Sequence, residues 1–351
     1  MGIFIALVIF SLLIFFHELG HFIAARFFKI HVEVFSIGFG KRILTKQIGQ
    51  TEWSISTIPL GGYIRMKGQD DSDPSKKSFE DDSYNSKAPW QRIVISLAGP
   101  FANFFLAFLL YLSITAIGVP KLLSTVGDIN MSQPAYEAGV RVGDTIRNIN
   151  GQPILYWEEV GEKIQAQTTP ISLTVLRDNN LIDFTITPKL LDVPNNFGEI
   201  EKRYLIGISP DINAIGTIHY GLSDGINYAY EQTQKASLYI FKSVQKLVMG
   251  LIPLENLSGV VGIVDTTAKV ANMGMVALLF FTALISVNLG VINLLPIPAL
   301  DGGHVLFNLY EMITKKAPNE EVMLKLTLMG WAILLSLMLV GLYNDIHRLL
   351  G

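Results

Sequence analysis

The chain has 351 residues, of which 50% are hydrophobic and only 16% charged, with a mean hydropathy of +0.40. That balance lies on the apolar side of a soluble globular chain and points to lipid as part of its solvent. A formal charge of -3 lacks the basic excess of a nucleic-acid binder, and the absence of cysteine excludes disulfides and thiolate metal sites, so any metal must be held by nitrogen and oxygen.

Four apolar stretches, 3–28, 93–119, 275–295 and 326–343, have the ~20 residues that cross a ~30 Å hydrocarbon core. The first lacks a basic n-region and an Ala-x-Ala cleavage site, and it runs past ionisable groups, so a retained anchor is expected rather than a signal peptide. Those groups are His17-Glu18-Leu19-Gly20-His21. Two histidines at i and i+4 share a helical face and can ligate one metal, while the adjacent Glu18 can serve as general base toward an attacking water. The alternative is an accidental match. Each ionisable group at mid-membrane costs about 2.5 to 3.5 kcal/mol, so three within five residues are hard to explain as packing. At ~1.5 Å per residue, His17 lies within the cytoplasmic third of the core.

Between the first two stretches, 32–40 and 51–66 read as strands with bends at Gly38, Gly40, Gly61 and Gly62, and 69–87 reads as a mobile polar loop containing Pro74. Basic residues crowd this segment, from Arg26 and Lys29 to Lys87 and Arg92, and Lys315, Lys316 and Lys325 separate the last two stretches. Both segments are therefore expected in the cytoplasm, with the N-terminus and 120–272 outside. Within that outer segment, Ala138-Gly139 and Gly143-Asp144 precede a strand ending at Asn150-Gly151, followed by a helix over 157–167 and a hairpin over 171–188 turning at Asp178-Asn179-Asn180. This mixed α/β run resembles a PDZ domain of the bacterial kind. Beyond it, 222–251 places Ile226, Tyr230, Ile240, Phe241, Val244 and Val248 near one face of an amphipathic helix.

The third stretch ends in Asn293-Leu-Leu-Pro296-Ile-Pro298-Ala-Leu-Asp301-Gly-Gly-His304. Two prolines break the helical hydrogen-bond ladder, which is tolerated at membrane depth only in packed protein or beside a wet cavity. Asp301 alone would read as a helix cap; beside two histidines that lack a third partner, the ligand reading takes precedence, with His304 as competitor. Three classes of function stand: a zinc hydrolase, a membrane-anchored scaffold with a structural zinc, and an ion transporter. Glu18 serves no structural site, and the lack of inverted repeats weakens the transporter. A helical substrate would have to be unwound, and lipid cannot satisfy its freed backbone groups. The strands, with Gly38, Gly40, Ile55 and Ser56, are the expected surface for strand addition, and Asn293 would hold the next stretch.

The two metal motifs, Ala98-Gly99-Pro-Phe-Ala-Asn103, Gly38-Phe-Gly40, Leu60-Gly-Gly-Tyr63 and the single PDZ-like run together resemble the site-2 protease family, of the bacterial regulator of sigma-E protease type. The resemblance implies a polytopic α-helical membrane protein with four transmembrane helices, a membrane-reentrant β-segment and one extracytoplasmic PDZ domain. Its parts would be 1–119, a PDZ domain over 120–210, an amphipathic linker over 211–274, and 275–351. It implies Zn2+ on His17, His21 and Asp301, Glu18 as catalytic base, Asn293 against the substrate backbone, and Gly99, Asn103, Pro296 and Pro298 as structural support. Expected partners are the lipid bilayer and pre-trimmed transmembrane proteins such as anti-sigma factors and signal-peptide remnants, with the PDZ domain docking or filtering their external segments. The implied location is the bacterial inner membrane, with the active site near the cytoplasmic side. Two departures stand out: the best-known members carry tandem PDZ domains, and the family's Leu-Ser-Gly-Pro reads Leu257-Ser-Gly-Val260 here.

Overall fold

The computed structural model describes residues 2–69, 78–165, 168–195 and 197–350. The chain forms two compact units, one from Thr115–Gly221 and the other from the preceding segment together with Leu222–Gly351.

The first unit opens with α1 (Gly2–Phe27), passes through β1 (Val32–Ile48) and β2 (Thr51–Met66), and continues into α2 (Pro89–Ile117). After the second unit come α5 (Leu222–Val248), a 3-10 turn (Leu254–Asn256), α6 (Val260–Asn272), α7 (Met275–Asn293), α8 (Asp301–Thr314) and α9 (Glu320–Leu350). Among the described residues α1, α2, α7 and α9 are long and apolar enough to cross a membrane. Ile9, Leu13, Leu106 and Ile285 join α1, α2 and α7 in one buried cluster. The helix α9 runs well beyond the apolar stretch 326–343, and polar groups at its end bond to the segment before α6 and to its first turn. Asn344 donates to the Leu254 carbonyl at 2.7 Å, the Gly262 N–H donates to Asp345 at 2.7 Å, and Arg348 donates to the Glu255 carbonyl at 2.7 Å. In α5 the expected apolar stripe is split. Gly225 and Ala229 are the buried residues, whereas Ile226, Tyr230, Phe241 and Val248 stay exposed.

The sheet of the first unit bends at its glycines as expected, and β1 runs on to Ile48, beyond the expected end at 40. Gly38 and Gly40, at φ of 90° and 87°, bend β1, and β2 turns at its own glycines, so the two strands make four rungs in the order 42–48, 51–58, 32–39, 61–66. Ile55 stands opposite both Ile37 and Leu44, and Ser56 opposite Arg42, with its hydroxyl 3.0 Å from that of Ser36. These two positions are therefore interior to the sheet, which corrects the expectation that they offer a free edge. The outer rungs are 42–48 and 61–66. Phe35 and Trp53 stack at 4.4 Å over the middle. Of the loop expected to be mobile, 70–77 lies outside the described residues. The remainder of that loop, from Ser78 onward, is tied down: the Lys67 ammonium meets Asp82 at 2.7 Å, the Ser83 hydroxyl donates to the Ser78 and Glu80 carbonyls, and Tyr84 is buried.

The second unit holds β3 (Val119–Leu122), β4 (Val126–Ile129), α3 (Pro134–Ala138), β5 (Thr145–Ile149), β6 (Gln152–Pro153) and α4 (Trp157–Gln165). They are succeeded by β7 (Ile171–Arg177), β8 (Asn180–Ile186), β9 (Lys189–Pro194), β10 (Ile200–Leu205), β11 (Ile208–Pro210) and β12 (Ile215–Ile218). Its main sheet has the order β6-β5-β7-β8, and the pairs β3/β12, β4/β11 and β9/β10 surround it. The hairpin turn falls on Asp178 and Asn179, both at positive φ, which suits the twist of the flanking strands. Ile146, Ile149, Ile171, Leu173 and Val175 fill the core with α4's Val160 and Ile164. Buried Asp144 accepts two hydrogen bonds from Arg177, both at 2.7 Å, and one from the Arg141 N–H. Positions 166 and 167 of the expected helix lie outside the described residues.

Candidate active site

The site begins with a close approach of α1 and α2. A Cβ on Gly20 would lie 2.3 Å from the Ala98 carbonyl oxygen, and one on Gly99 2.2 Å from His21 Nε2, so only glycine at both positions lets the helices meet. The approach presses His17 and His21, one turn apart on α1, into the interior, their rings 4.8 Å apart. Asp301 is the first residue of α8; the capping position belongs to Leu300, which makes no side-chain cap bond. The Asp301 carboxylate faces the histidines instead, at 3.2 Å from His17 Nε2 and 3.4 Å from His21 Nε2, while the two Nε2 atoms are 3.2 Å apart.

The rings are oriented from behind by α2. His21 Nδ1–H donates to the Ile95 carbonyl at 2.8 Å, which leaves the Nε2 lone pair directed at Asp301. His17 Nδ1 meets the amide group of Asn103 at 3.2 Å. Asn103 is fully buried, and its Oδ1 has no partner, although the Ser286 hydroxyl holds its backbone carbonyl at 2.7 Å. Turning the Asn103 amide over places Oδ1 on His17 Nδ1–H, which satisfies the orphaned oxygen and frees the His17 Nε2 lone pair. Residues 95, 99 and 103 thus form one face of α2 behind the two histidines. Ile95 and Ser286 were not foreseen from sequence. The i, i+4 spacing back from Gly99 points to the former, and nothing local marks the latter.

His17, His21 and Asp301 form a group whose ligand atoms all lie within 4.8 Å of one another. A tetrahedral zinc with ligands at ~2.0 to 2.1 Å separates its ligand atoms by about 3.3 Å, which the observed 3.2 to 3.4 Å matches. The donor set, two imidazoles and one carboxylate without thiolate, fits zinc with a position left open. His304, the competing candidate, lines the same cavity but is not in that group. This cavity of about 160 Å³ is also lined by Glu18 and Asn293, and by Gly62, Tyr63, Ile64 and Met66 of the outer rung 61–66. Gly38, Gly40, Ile55 and Ser56 are not in its lining. Pro296 and Pro298 lie in the short turn between α7 and α8, where helical hydrogen bonds end and the chain reverses to deliver Asp301.

Known proteins resemble this chain over nearly its whole length. The chain is 43% identical over 97% of its length to Cj1068 of Campylobacter jejuni, provisionally named a zinc metalloprotease, and covers 92% of that protein. It is 38% identical to a provisionally named zinc metalloprotease of Helicobacter pylori, with 99% of each chain covered. It is 30% identical to RasP, the regulator of sigma-W protease of Bacillus subtilis, covering 98% of this chain and 97% of the relative. The model of peptidase family M50 matches residues 5–337. From its first membrane helix to its last, the chain belongs to peptidase family M50, the zinc metalloproteases of the site-2 protease type.

Proposed function

We propose that the chain hydrolyses peptide bonds within or beside the transmembrane segments of membrane proteins already trimmed on their external side, with His17, His21 and Asp301 holding zinc and Glu18 as the base. The observation that carries this reading is the mutual spacing of the three ligand groups, 3.2 to 3.4 Å, in a chain with four helices of spanning length. Zinc, when bound, supplies a Lewis acid that polarises a carbonyl and raises the acidity of water. The chain's own residues do the rest. Glu18, in the cavity beside the ligand group, takes the proton from the attacking water and delivers it to the leaving amine. Asn103 and the Ile95 carbonyl fix the ring orientation of His17 and His21. Asn293, with a side-chain donor and acceptor, holds the substrate backbone near the bond to be cut.

The substrate must be extended to be cut, and its freed N–H and C=O groups need partners. The rung 61–66 suits this because, among the described residues, it pairs on one side only, with 32–37, and lines the cavity through Gly62, Tyr63, Ile64 and Met66. A strand added there gains main-chain bonds with little demand on sequence. The lysines and arginines of the segments joining α1 to α2 and α7 to α9 favour a cytoplasmic cavity and an external second unit. That unit, read as a PDZ domain, supplies no catalytic group and acts as filter or docking module. The name of the Bacillus relative, a regulator of sigma-W protease, fits anti-sigma factors among the substrates. The test is Glu18→Gln in the purified chain: cleavage of a model transmembrane substrate should fall by roughly 10² to 10⁴-fold with bound zinc still near one per chain. A fully active variant would remove Glu18 from the mechanism.

A further inference from the structure

A second cavity, of about 230 Å³, adjoins the catalytic one: Gln69, Tyr84, Ala299 and His304 line both. Two helix faces form much of its wall, and Gly68, Gln69, Phe79, Tyr84, Asn85 and Arg92 complete it. Along α8, His304, Phe307, Asn308 and Glu311 follow at helical spacing directly after Asp301, so the helix that brings Asp301 to the histidines continues as the chamber wall. Along α9, Met323, Thr327 and Trp331 follow at i, i+4 and i+8. Gly330 brings α9 close to the turn before α8, where an added Cβ would meet the Ala299 nitrogen at 3.0 Å, and the adjacent Trp331 lines the chamber.

The charged groups in the chamber are committed to one another. Arg92 pairs with Glu311 at 2.6 Å, donates to the Lys87 carbonyl at 3.1 Å and lies 5.9 Å over the Tyr84 ring. Asn308 donates to the His304 carbonyl at 2.8 Å and to the Tyr84 hydroxyl at 3.4 Å. Most of the remaining wall is carbon, from Phe307, Met323, Trp331 and the Ala317-Pro318 turn. One water needs only ~10 to 15 Å³, so the space is ample for a large side chain, and its chemistry favours a neutral, apolar one.

Because the chamber shares Gln69, Tyr84, Ala299 and His304 with the catalytic cavity, it lies within a side chain's reach of a substrate bound there. We infer that it is a substrate subsite for one large apolar side chain, of the Phe, Leu or Met class, within a few residues of the bond to be cut. The cut position is then chosen by a side chain, while strand addition supplies only sequence-tolerant affinity. The inference rests on the protease reading above.

The test uses the full-length chain and one transmembrane substrate whose cut site is mapped by mass spectrometry, with Phe, Ala or Asp placed in turn at the three positions on either side. At one position Phe should exceed Ala in kcat/KM by about tenfold or more, as a filled apolar pocket provides. Thr327→Phe, which fills the chamber, should reduce that ratio at least about tenfold with zinc retained. Met323→Trp is a second filling variant should the first not fold. An unchanged ratio in a zinc-loaded filled variant overturns the inference, as does a flat Phe-to-Ala profile at all six positions in an active wild type. Retention of a lipid by the wild type and its loss in Thr327→Phe, without a change in the ratio, would assign the chamber to lipid and overturn the subsite. A wild type that binds no zinc and cuts nothing would instead sink the protease reading.

Discussion

The two units of this chain both bury aliphatic side chains, but they differ in the polar groups buried beside them. In Thr115–Gly221 the interior is aliphatic, from Ile146 and Ile149 to Leu173 and Val175, and the buried charge of Asp144 is answered by Arg177. In the other unit, helices turn Phe4, Phe101, Phe105 and Leu335 outward and keep His21, Asn103, Ser286 and Asp345 inside. The contrast comes from solvent. In water, each large aliphatic side chain that is buried contributes about 1.5 to 3 kcal/mol, so a small unit can hold itself together with carbon. Lipid gives no such drive between helices, and association depends on close packing at small residues such as Gly20 and Gly99 and on polar contacts. The polar atoms turned inward for that reason are also the ones available for chemistry, so in this unit the groups that hold the helices and the groups that do the chemistry stand side by side.

That contrast can be broken most sharply at the sheet edge. If rung 61–66 presents the substrate, proline at whichever of Tyr63 or Ile64 turns its N–H outward should lower cleavage about 100-fold with zinc retained, as misplacement of a substrate does. Proline at Ile55, paired on both sides, should instead destabilise the sheet itself. Mass spectrometry of cleavage products together with metal content separates the two. Equal, mild effects at all three positions would remove the edge from substrate presentation.

A smaller effect is expected behind the histidines. Asn103→Leu removes the acceptor for His17 Nδ1–H, and zinc affinity, read by competition with a chelator, should weaken roughly 10 to 100-fold. Asn103→Asp keeps an acceptor and should lose less. Unchanged affinity in the leucine variant would reduce Asn103 to packing. Least affected should be catalysis after excision of the second unit. Strands β3 and β12 pair from Leu122 with Ile215 to Val119 with Ile218, so a short Gly/Ser linker can replace 123–214. Short, pre-trimmed substrates should be cut as before and substrates with bulky external domains newly admitted. Loss of all cleavage in a zinc-loaded variant would make the second unit part of the catalytic machinery.

What was legible in the sequence was what spacing within a single element determines. The i, i+4 histidines share a face because a helix repeats every 3.6 residues, and Asp178-Asn179 reads as a tight turn because those residues tolerate positive φ. Pairing between elements was less legible. The glycines mark where β1 and β2 bend, but nothing local says which rung pairs with which, so Ile55 and Ser56, alternating as an edge strand would, fall inside the sheet. The end of α9 was hidden because Asn344, Asp345 and Arg348 read as the end of a span, while their partners, from Leu254 to Gly262, lie some 90 residues earlier. Asp301 read alone as a cap, and its orientation toward His17 and His21 depends on the proline-bearing turn before it.

The most direct test of the central claim is the metal content of the purified chain beside that of Asp301→Ala and His304→Ala. With His17, His21 and Asp301 as the ligands, the wild type and His304→Ala should each retain about one zinc per chain, and Asp301→Ala should lose it with the helical fold intact by circular dichroism. Full zinc in Asp301→Ala, with loss in His304→Ala, would contradict the assignment and transfer the third ligand to His304.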